Sequence, residues 1–345
     1  MTILCEINNG KKIWPPPVWI MRQAGRYLPE YNDVRNKAGS FLDLCYNPVY
    51  SSEVTLQPIK RFDLDAAIIF ADILLVAENL NLKLHFEDNV GPIITPPMRN
   101  GFNLDRFIQV ENSRLMKVMD SINISRNLLE KEKSLIGFCG APWTVLTYLI
   151  NGSSTRDFQD IINWMHGNIT LADELINVLT ELSSDYLSLQ IEAGADVVKI
   201  FDTWSGVLNE EDFIKWVIQP TKNIVSILKR KHNKVPIIGF PKGAKDFYED
   251  YIDGTGVDII ALDHDLNRDF CRNTLQKKAI LQGNVSPELL RSGGMQLEDE
   301  VHDTIEKFGK EPFIMNLGHG IIKDTPVENV ENFIKIIREY KIGLT

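Results

Sequence analysis

Two arginines lie close together immediately after a short apolar segment of the chain. Arg22 and Arg26 occur in MRQAGRY, which follows the apolar residues Val18–Met21. A guanidinium presents a rigid set of donors that matches a carboxylate or a phosphate. Two guanidinium groups on one glycine-containing loop indicate a ligand with several anionic groups. The alternative is a solvated loop with ordinary surface arginines.

A single carboxylate interrupts the longest apolar stretch of the sequence. Asp72 lies within Ala66–Ala77, and a buried carboxylate without donors or a nearby cation is costly. We therefore expect Asp72 to face hydrogen-bond donors or a positive charge. Capping of the following helix is a common duty of aspartate, and the two roles are compatible.

Three further polar side chains follow apolar segments. Tyr148 comes shortly after GAPWT, Thr203 follows a segment that ends in aspartate, and His319 lies between two glycines. Tyr148 is equally explained by core packing. Metal binding is the rival reading of His319, but no second histidine or cysteine stands at ligand spacing, so the sequence predicts no metal site.

Short apolar segments alternate with helical patterns along the chain. The segments are continuously apolar, as is typical of strands that are covered on both faces. They are Val18–Met21, Ala66–Phe70, Leu135–Cys139, Val197–Phe201, Pro236–Phe240, Asp258–Leu262, Ala279–Gln282 and Phe313–Leu317, and helical patterns cover Asp173–Ile191 and Val327–Tyr340.

This alternation predicts an α/β fold, a single (β/α)8 TIM-type barrel over residues 1–345. An open doubly wound sheet has the same periodicity, but no glycine-rich dinucleotide motif or phosphate loop follows any segment. Active sites of barrels lie at the carboxyl ends of the strands. We therefore expect the polar residues that follow the segments to meet there.

Composition excludes several classes of partner. The 37 lysines and arginines are outnumbered by 47 aspartates and glutamates, for a net charge of -10. So acidic a protein is not expected to bind nucleic acid or an anionic membrane through a general basic surface. The four cysteines are scattered and the first residues do not resemble a signal peptide, so we expect a reduced, cytoplasmic protein.

The sequence resembles the uroporphyrinogen decarboxylase family nearly from end to end. Five motifs occur in the family's order: MRQAGRYLPEY at 21–31, IIFADIL at 68–74, GAPWT at 140–144, FPKGA at 240–244 and NLGHG at 316–320. The resemblance implies a barrel, usually a homodimer, that decarboxylates the four acetate side chains of uroporphyrinogen III. Neither a metal nor an organic cofactor is implied, and the product is coproporphyrinogen III of heme synthesis.

The resemblance also implies roles for particular residues. It makes Asp72 the essential aspartate, and it places substrate contacts at Arg22, Gln23, Ala24, Gly25, Arg26, Arg35, Tyr148, Thr203 and His319. Two positions depart from the family pattern: His264 stands where many relatives have Trp, and Ser286 where many have Asp.

The implied chemistry agrees with the residue types. Decarboxylation leaves electrons on carbon, and a pyrrole that is protonated at a ring carbon accepts them without a cofactor. Asp72 would stabilise the cation while Arg22 and Arg26 hold substrate carboxylates. The rivals are a zinc-dependent methyltransferase, which needs a His and Cys cluster near the last strands, and a tetrapyrrole carrier, to which a buried negative charge would bring nothing.

Overall fold

Seven of the apolar segments form one curled parallel β-sheet. The computed structural model describes residues 1–80, 82–87, 90–100 and 113–341, so part of the predicted domain, including residues 101–112 and 342–345, lies outside the described residues. The strands are β1 Ala66–Ile68, β2 Lys83–Glu87, β3 Gly91–Thr95, β4 Ser134–Gly140, β5 Val197–Asp202, β6 Ile237–Pro241, β7 Ile259–Ala261, β8 Ile280–Val285 and β9 Phe313–Leu317. The sheet order is β1-β4-β5-β6-β7-β8-β9, all parallel, and β2 pairs with β3 as a separate antiparallel hairpin.

Helices connect the strands and cover the outer face of the sheet. They are α1 Ile3–Asn8, α2 Pro29–Ala38, α3 Phe41–Cys45, α4 Pro48–Arg61, α5 Ser113–Leu128, α6 Pro142–Asn151, α7 Gln159–Gly167, α8 Ile169–Glu192, α9 Glu210–Phe213, α10 Gln219–Lys231, α11 Tyr248–Thr255, α12 Arg268–Asn273, α13 Pro287–Ser292, α14 Gly294–Phe308 and α15 Val327–Glu339. A π-helix, Ile214–Ile218, precedes α10, and short 3-10 helices include Leu75–Leu80. The two helices predicted from periodicity are confirmed as α8 and α15.

The burial of the strands explains why their sequences do not alternate. All seven residues of β4 are buried, as are all residues of β6, β7 and β9. A parallel sheet with helices on its outer face leaves neither face to water. Within the described residues no helix is long and apolar enough to cross a membrane.

The first predicted strand, Val18–Met21, forms a single parallel bridge instead of a full strand. Val18 bridges to Met315 of β9, where the Met315 N–H donates to the Pro17 carbonyl at 2.8 Å. On the other side, the Asp65 N–H donates to the Val18 carbonyl at 2.9 Å. Residues 17–19 therefore bond to both ends of the seven-stranded sheet. Pro17 has no N–H to extend the ladder, which limits the regular pairing.

A buried carboxylate fixes this junction. Asp65 Oδ2 accepts hydrogen bonds from the Val18 N–H at 2.7 Å and from Arg338 of α15 at 2.7 Å. Arg338 also pairs with Asp63 at 3.0 Å, but the Asp63 side chain is 71% exposed against 16% for Asp65. The chain's last described helix is thus tied to its first bridging segment through Asp65.

We predict that Asp65→Ala lowers the free energy of unfolding by about 1–3 kcal/mol, because it leaves a buried N–H and a guanidinium without their acceptor. The matched control, Asp63→Ala, removes only the ion pairs of an exposed side chain with Arg338 and Lys133 and should cost less than about 1 kcal/mol. Urea unfolding of both variants measures the difference. Equal losses would show that Asp65 does not hold the junction.

Candidate active site

The arginine loop is anchored to both edges of the sheet. The Met21 N–H donates to Oδ1 of Asn316 on β9 at 3.2 Å, and the Met21 carbonyl accepts from the Ile321 N–H at 2.9 Å. Two residues further on, the Gln23 amide donates to the carbonyl of Ala66 on β1 at 3.1 Å. Arg22 lies between these anchors with a φ of 62°. Such a conformation is strained for a non-glycine residue and persists where its surroundings fix it.

Gln23 is fully buried, and its side chain holds the loop together. Its Oε1 accepts from the Ile20 N–H at 3.0 Å, and its carbonyl accepts from the Tyr27 hydroxyl at 2.8 Å. Ala24 and Gly25 are half-buried. Contact between these three residues and a ligand stays a prediction, and for Gln23 the side chain is already committed to the loop.

The Arg22 side chain lies against the backbone of Gly320. A Cβ at Gly320 would approach Arg22 Cδ to 2.4 Å, which real Cβ atoms do not tolerate. The glycine after His319 thus makes room for the guanidinium. Arg22 is open to solvent, yet enough protein surrounds it to lower its pKa through lost hydration, an effect that the Asp72 charge opposes.

Asp72 begins the segment after β1, and one of its oxygens caps the next turn. Its Oδ1 accepts from the Leu74 N–H at 2.8 Å, directly before the 3-10 helix Leu75–Leu80. Burial raises the pKa of Asp72 to about 6, against the opposing effects of the Leu74 N–H and of Arg22. Among the described residues, Asp72 forms no ion pair within 4 Å. It therefore caps the turn through Oδ1, while its second oxygen has no hydrogen bond within the described residues.

Tyr148 and His319 lie in the electrostatic field of this pair. Burial raises the pKa of Tyr148, Asp72 raises it further and Arg22 lowers it. Burial lowers the pKa of His319 to about 3, and the Arg22 charge lowers it further. His319 is thus neutral at physiological pH and has one donor and one acceptor nitrogen. Arg22 is thus close enough to Asp72, Tyr148 and His319 to shift the pKa of each, and their contact with a ligand stays a prediction.

The remaining predicted contacts lie around this group. Arg26 is exposed and close enough to lower the pKa of Arg22. Thr203 is half-buried at the carboxyl end of β5. Arg35 is on α2, where it donates to the Gly39 carbonyl at 2.6 Å and lowers the pKa of Cys45, which Asp72 raises. Arg35 thus acts as a helix cap near the site.

The sequence reasoning missed several supporting residues. Asn316 anchors Met21, Gly320 accommodates Arg22, and Lys242 is one of the cations that lower the pKa of His319. All three lie in motifs that were identified from the sequence alone, NLGHG and FPKGA. Only the backbone geometry shows what each one touches.

The two departures from the family pattern have local explanations. Ser286 is the N-cap of α13, where its hydroxyl accepts from the Leu289 N–H at 3.4 Å, and serine and aspartate serve equally well as N-caps. The backbone of His264 packs against Gly318, where a Cβ would come within 2.1 Å of the His264 nitrogen. Its exposed side chain is not needed for that contact.

No metal cluster is present in the described parts of the chain, because no three His, Cys, Asp or Glu side chains converge there. All four cysteines are free, and Cys271 on α12 is fully buried. The histidine and cysteine cluster that a zinc-dependent methyltransferase needs is not found among those residues.

Comparison with known proteins shows to which family the chain belongs. The profile of the uroporphyrinogen decarboxylase family matches residues 2–340. The chain belongs to the uroporphyrinogen decarboxylase family. Relatives named uroporphyrinogen decarboxylase include that of Chelativorans sp., 45% identical over 340 residues and 98% of both chains, and that of Orientia tsutsugamushi, 45% identical over 341 residues and 98% of both chains. That of Brucella anthropi is 44% identical over 96% of this chain and 97% of its own.

Solved structures of lower sequence identity have folds similar to that of this chain. A methyltransferase from Methanosarcina mazei superposes with a TM-score of 0.77 at 18% identity, covering 97% of each chain. A B12-independent methionine synthase from Shewanella sp. gives 0.52 at 10% identity, covering 83% of this chain and 84% of its own. At these identities the likeness concerns the fold alone.

We predict that Arg22→Met raises the pKa of Asp72 above its value of about 6, because it removes the cation that favours the carboxylate. Arg26→Met, the control, should leave that pKa unchanged, since Arg26 is not among the groups that act on Asp72. Carbon-13 NMR titration of the aspartate carboxyl groups measures both. An unchanged Asp72 pKa in Arg22→Met would show that Arg22 does not act electrostatically on Asp72.

Proposed function

We propose that this chain catalyses the decarboxylation of uroporphyrinogen III, removing its four acetate carboxyl groups to give coproporphyrinogen III in heme synthesis. The observation that carries the proposal is the Asp72 carboxylate. It is close enough to Arg22 for that charge to lower its pKa, forms no ion pair within the described residues, and has one oxygen without a hydrogen bond to them. A site that only bound a polyanion would gain nothing from that negative charge, whereas a cationic intermediate would.

The substrate supplies its own electron sink in this proposal. A proton adds to a carbon of the pyrrole ring, and the ring cation accepts the electron pair of the breaking C–C bond as carbon dioxide leaves. The exocyclic methylene carbon then takes up a proton and the ring carbon releases its added proton, so that the acetate becomes a methyl group. Asp72 accepts hydrogen bonds from the pyrrole N–H groups and stabilises that cation. The reaction requires neither a metal nor an organic cofactor.

The polar side chains around Asp72 hold the substrate. Arg22 and Arg26 bind its carboxylates through charge-assisted bonds worth roughly 1.5–3 kcal/mol each. His319, which is neutral, and Tyr148, whose pKa is raised, act as hydrogen-bonding contacts and are poor proton donors at neutral pH. Gln23, Ala24, Gly25, Arg35 and Thr203 complete the set that we assign to binding.

We also propose that residues 17–21 act as the eighth strand of a closed (β/α)8 barrel that comprises one domain. The bonds from Pro17 and Val18 to both edge strands support this closure. A homodimeric, cytoplasmic enzyme is proposed from the family alone.

The proposal is tested by anaerobic incubation of the purified protein with uroporphyrinogen III, with products separated after oxidation. Stepwise loss of four carboxyl groups is expected. Asp72→Asn should keep the fold and reduce kcat by about 10²-fold or more, by analogy with removal of one charge-stabilising group. The control Asp185→Asn changes an exposed aspartate of α8 and should turn over normally. Binding without product by the unaltered protein would indicate a carrier.

We further predict an acid limit to activity. Asp72 must be ionised to stabilise a cation, and its pKa in the free protein is about 6. The fraction in the active form is complete well above pH 6 and is lost as the pH falls through that value. A profile of kcat/KM against pH should therefore fall on the acid side with an apparent pKa near 6. A flat profile from pH 5 to 8 would exclude this role.

A further inference from the structure

A lysine is buried in the interior of the sheet with no carboxylate beside it. Lys199 lies on β5 with 0% of its surface exposed. Its Nζ is 3.3 Å from the sulfur of Met21 and 5.1, 4.6 and 4.8 Å from the ring centroids of Trp19, Phe201 and Phe240. No acidic group in the described parts of the chain pairs with it. Lysine is almost never fully buried without a partner.

This amine lies one layer below the cleft. Lys199 and Phe201 are two residues apart on β5, so their side chains point to the same face. Phe201 pairs with Phe240 of β6 and is half-buried, whereas Lys199 is completely enclosed. Met21 directly precedes Arg22. The side chains that enclose Nζ therefore form the floor beneath the arginine loop.

The surroundings of Lys199 act on its two protonation states in opposite directions. Burial holds the pKa of Lys199 well below its ordinary value, whereas three aromatic rings partly offset the loss of hydration for an ammonium. Among the described side chains that contact Nζ, namely Met21, Trp19, Phe201 and Phe240, none is titratable. His319 is an ionising group close enough for the Lys199 charge to lower its pKa. A fully buried amine with no carboxylate partner in the described parts of the chain favours its neutral form.

We propose that Lys199 is a specificity-determining residue that takes up one proton from solvent when a polycarboxylate tetrapyrrole occupies the cleft above it. The incoming carboxylates stabilise the ammonium without burying it further. The uptake adds one cation beneath the ligand, so the protein favours tetrapyrroles with more carboxylates. Each decarboxylation removes one negative charge and weakens that preference, which helps the product to leave.

This inference rests on the proposed function, and its first test measures proton uptake on binding. Coproporphyrinogen III, the unreactive product, is titrated anaerobically by calorimetry in two buffers of different ionisation enthalpy. The unaltered protein should take up more protons than Lys199→Met, with a difference approaching about one proton per site near pH 7. Near pH 7 the affinity of the unaltered protein for this ligand should fall as the pH rises. The fall should be steeper than that of Lys199→Met by up to about tenfold per pH unit.

A matched control uses the same chemical change elsewhere. Lys277→Met replaces an exposed lysine at the opposite, amino-terminal end of β8 and should retain the full uptake. Equal uptake in the unaltered protein and Lys199→Met would assign the proton to Asp72 or another group and overturn the inference. Lys199→Gln gives a second polar, uncharged replacement with the same expected loss.

Kinetics and stability distinguish this role from simple packing. Lys199→Met should raise KM for uroporphyrinogen III several-fold with a smaller change in kcat. It should also raise the Tm, because the unfolded chain protonates the amine that the native state keeps neutral. Normal turnover with unchanged KM and uptake would overturn this inference alone. Absence of turnover in the unaltered protein would overturn the proposed function as well.

Discussion

The site depends on one short segment, residues 17–23, being bonded to both edges of the parallel sheet. Met315 and Asn316 hold it on one side, while Asp65 and the Ala66 carbonyl hold it on the other. With the segment fixed at both ends, the protein can keep one arginine in a strained backbone conformation. That arginine then stands beside a carboxylate from the end of β1.

Several cations lie at the site, although the chain as a whole carries a net negative charge. In a protein with a net charge of -10, Arg22 lies near Asp72, Arg26 lies near Arg22, and Lys242 lies near His319. Locally, these cations would counter the long-range repulsion of an anionic ligand. Burial is the main cause of the low pKa of His319, and Arg22 lowers it further. Arg22 also keeps the pKa of Asp72 lower than burial alone would make it. In our proposal, ligand binding causes the buried amine of Lys199 to take up a proton, which adds a further positive charge.

Seven of the eight predicted strands form, because burial on both faces leaves continuous apolar segments. The β2–β3 hairpin was missed because its strands are mostly exposed or half-buried, so they are not continuously apolar, and pair only with each other. Val18–Met21 was predicted as a strand but forms one bridge, since Pro17 before it has no N–H to extend the ladder. The positions of Arg22 and Asp72 followed from the strand ends. The roles of Asn316 and Lys199 did not, because a polar residue inside an apolar segment does not reveal which neighbour it faces.

In the proposed mechanism, the Asp72 carboxylate accepts hydrogen bonds from the pyrrole N–H groups of the bound tetrapyrrole. A crystal structure of the protein with coproporphyrinogen III, grown anaerobically, tests it most directly. We expect the pyrrole N–H groups within hydrogen-bonding distance of Asp72 and the ligand carboxylates against Arg22 and Arg26. A ligand whose nitrogens point away from Asp72, with that carboxylate bonded only to the Leu74 N–H, would contradict the account.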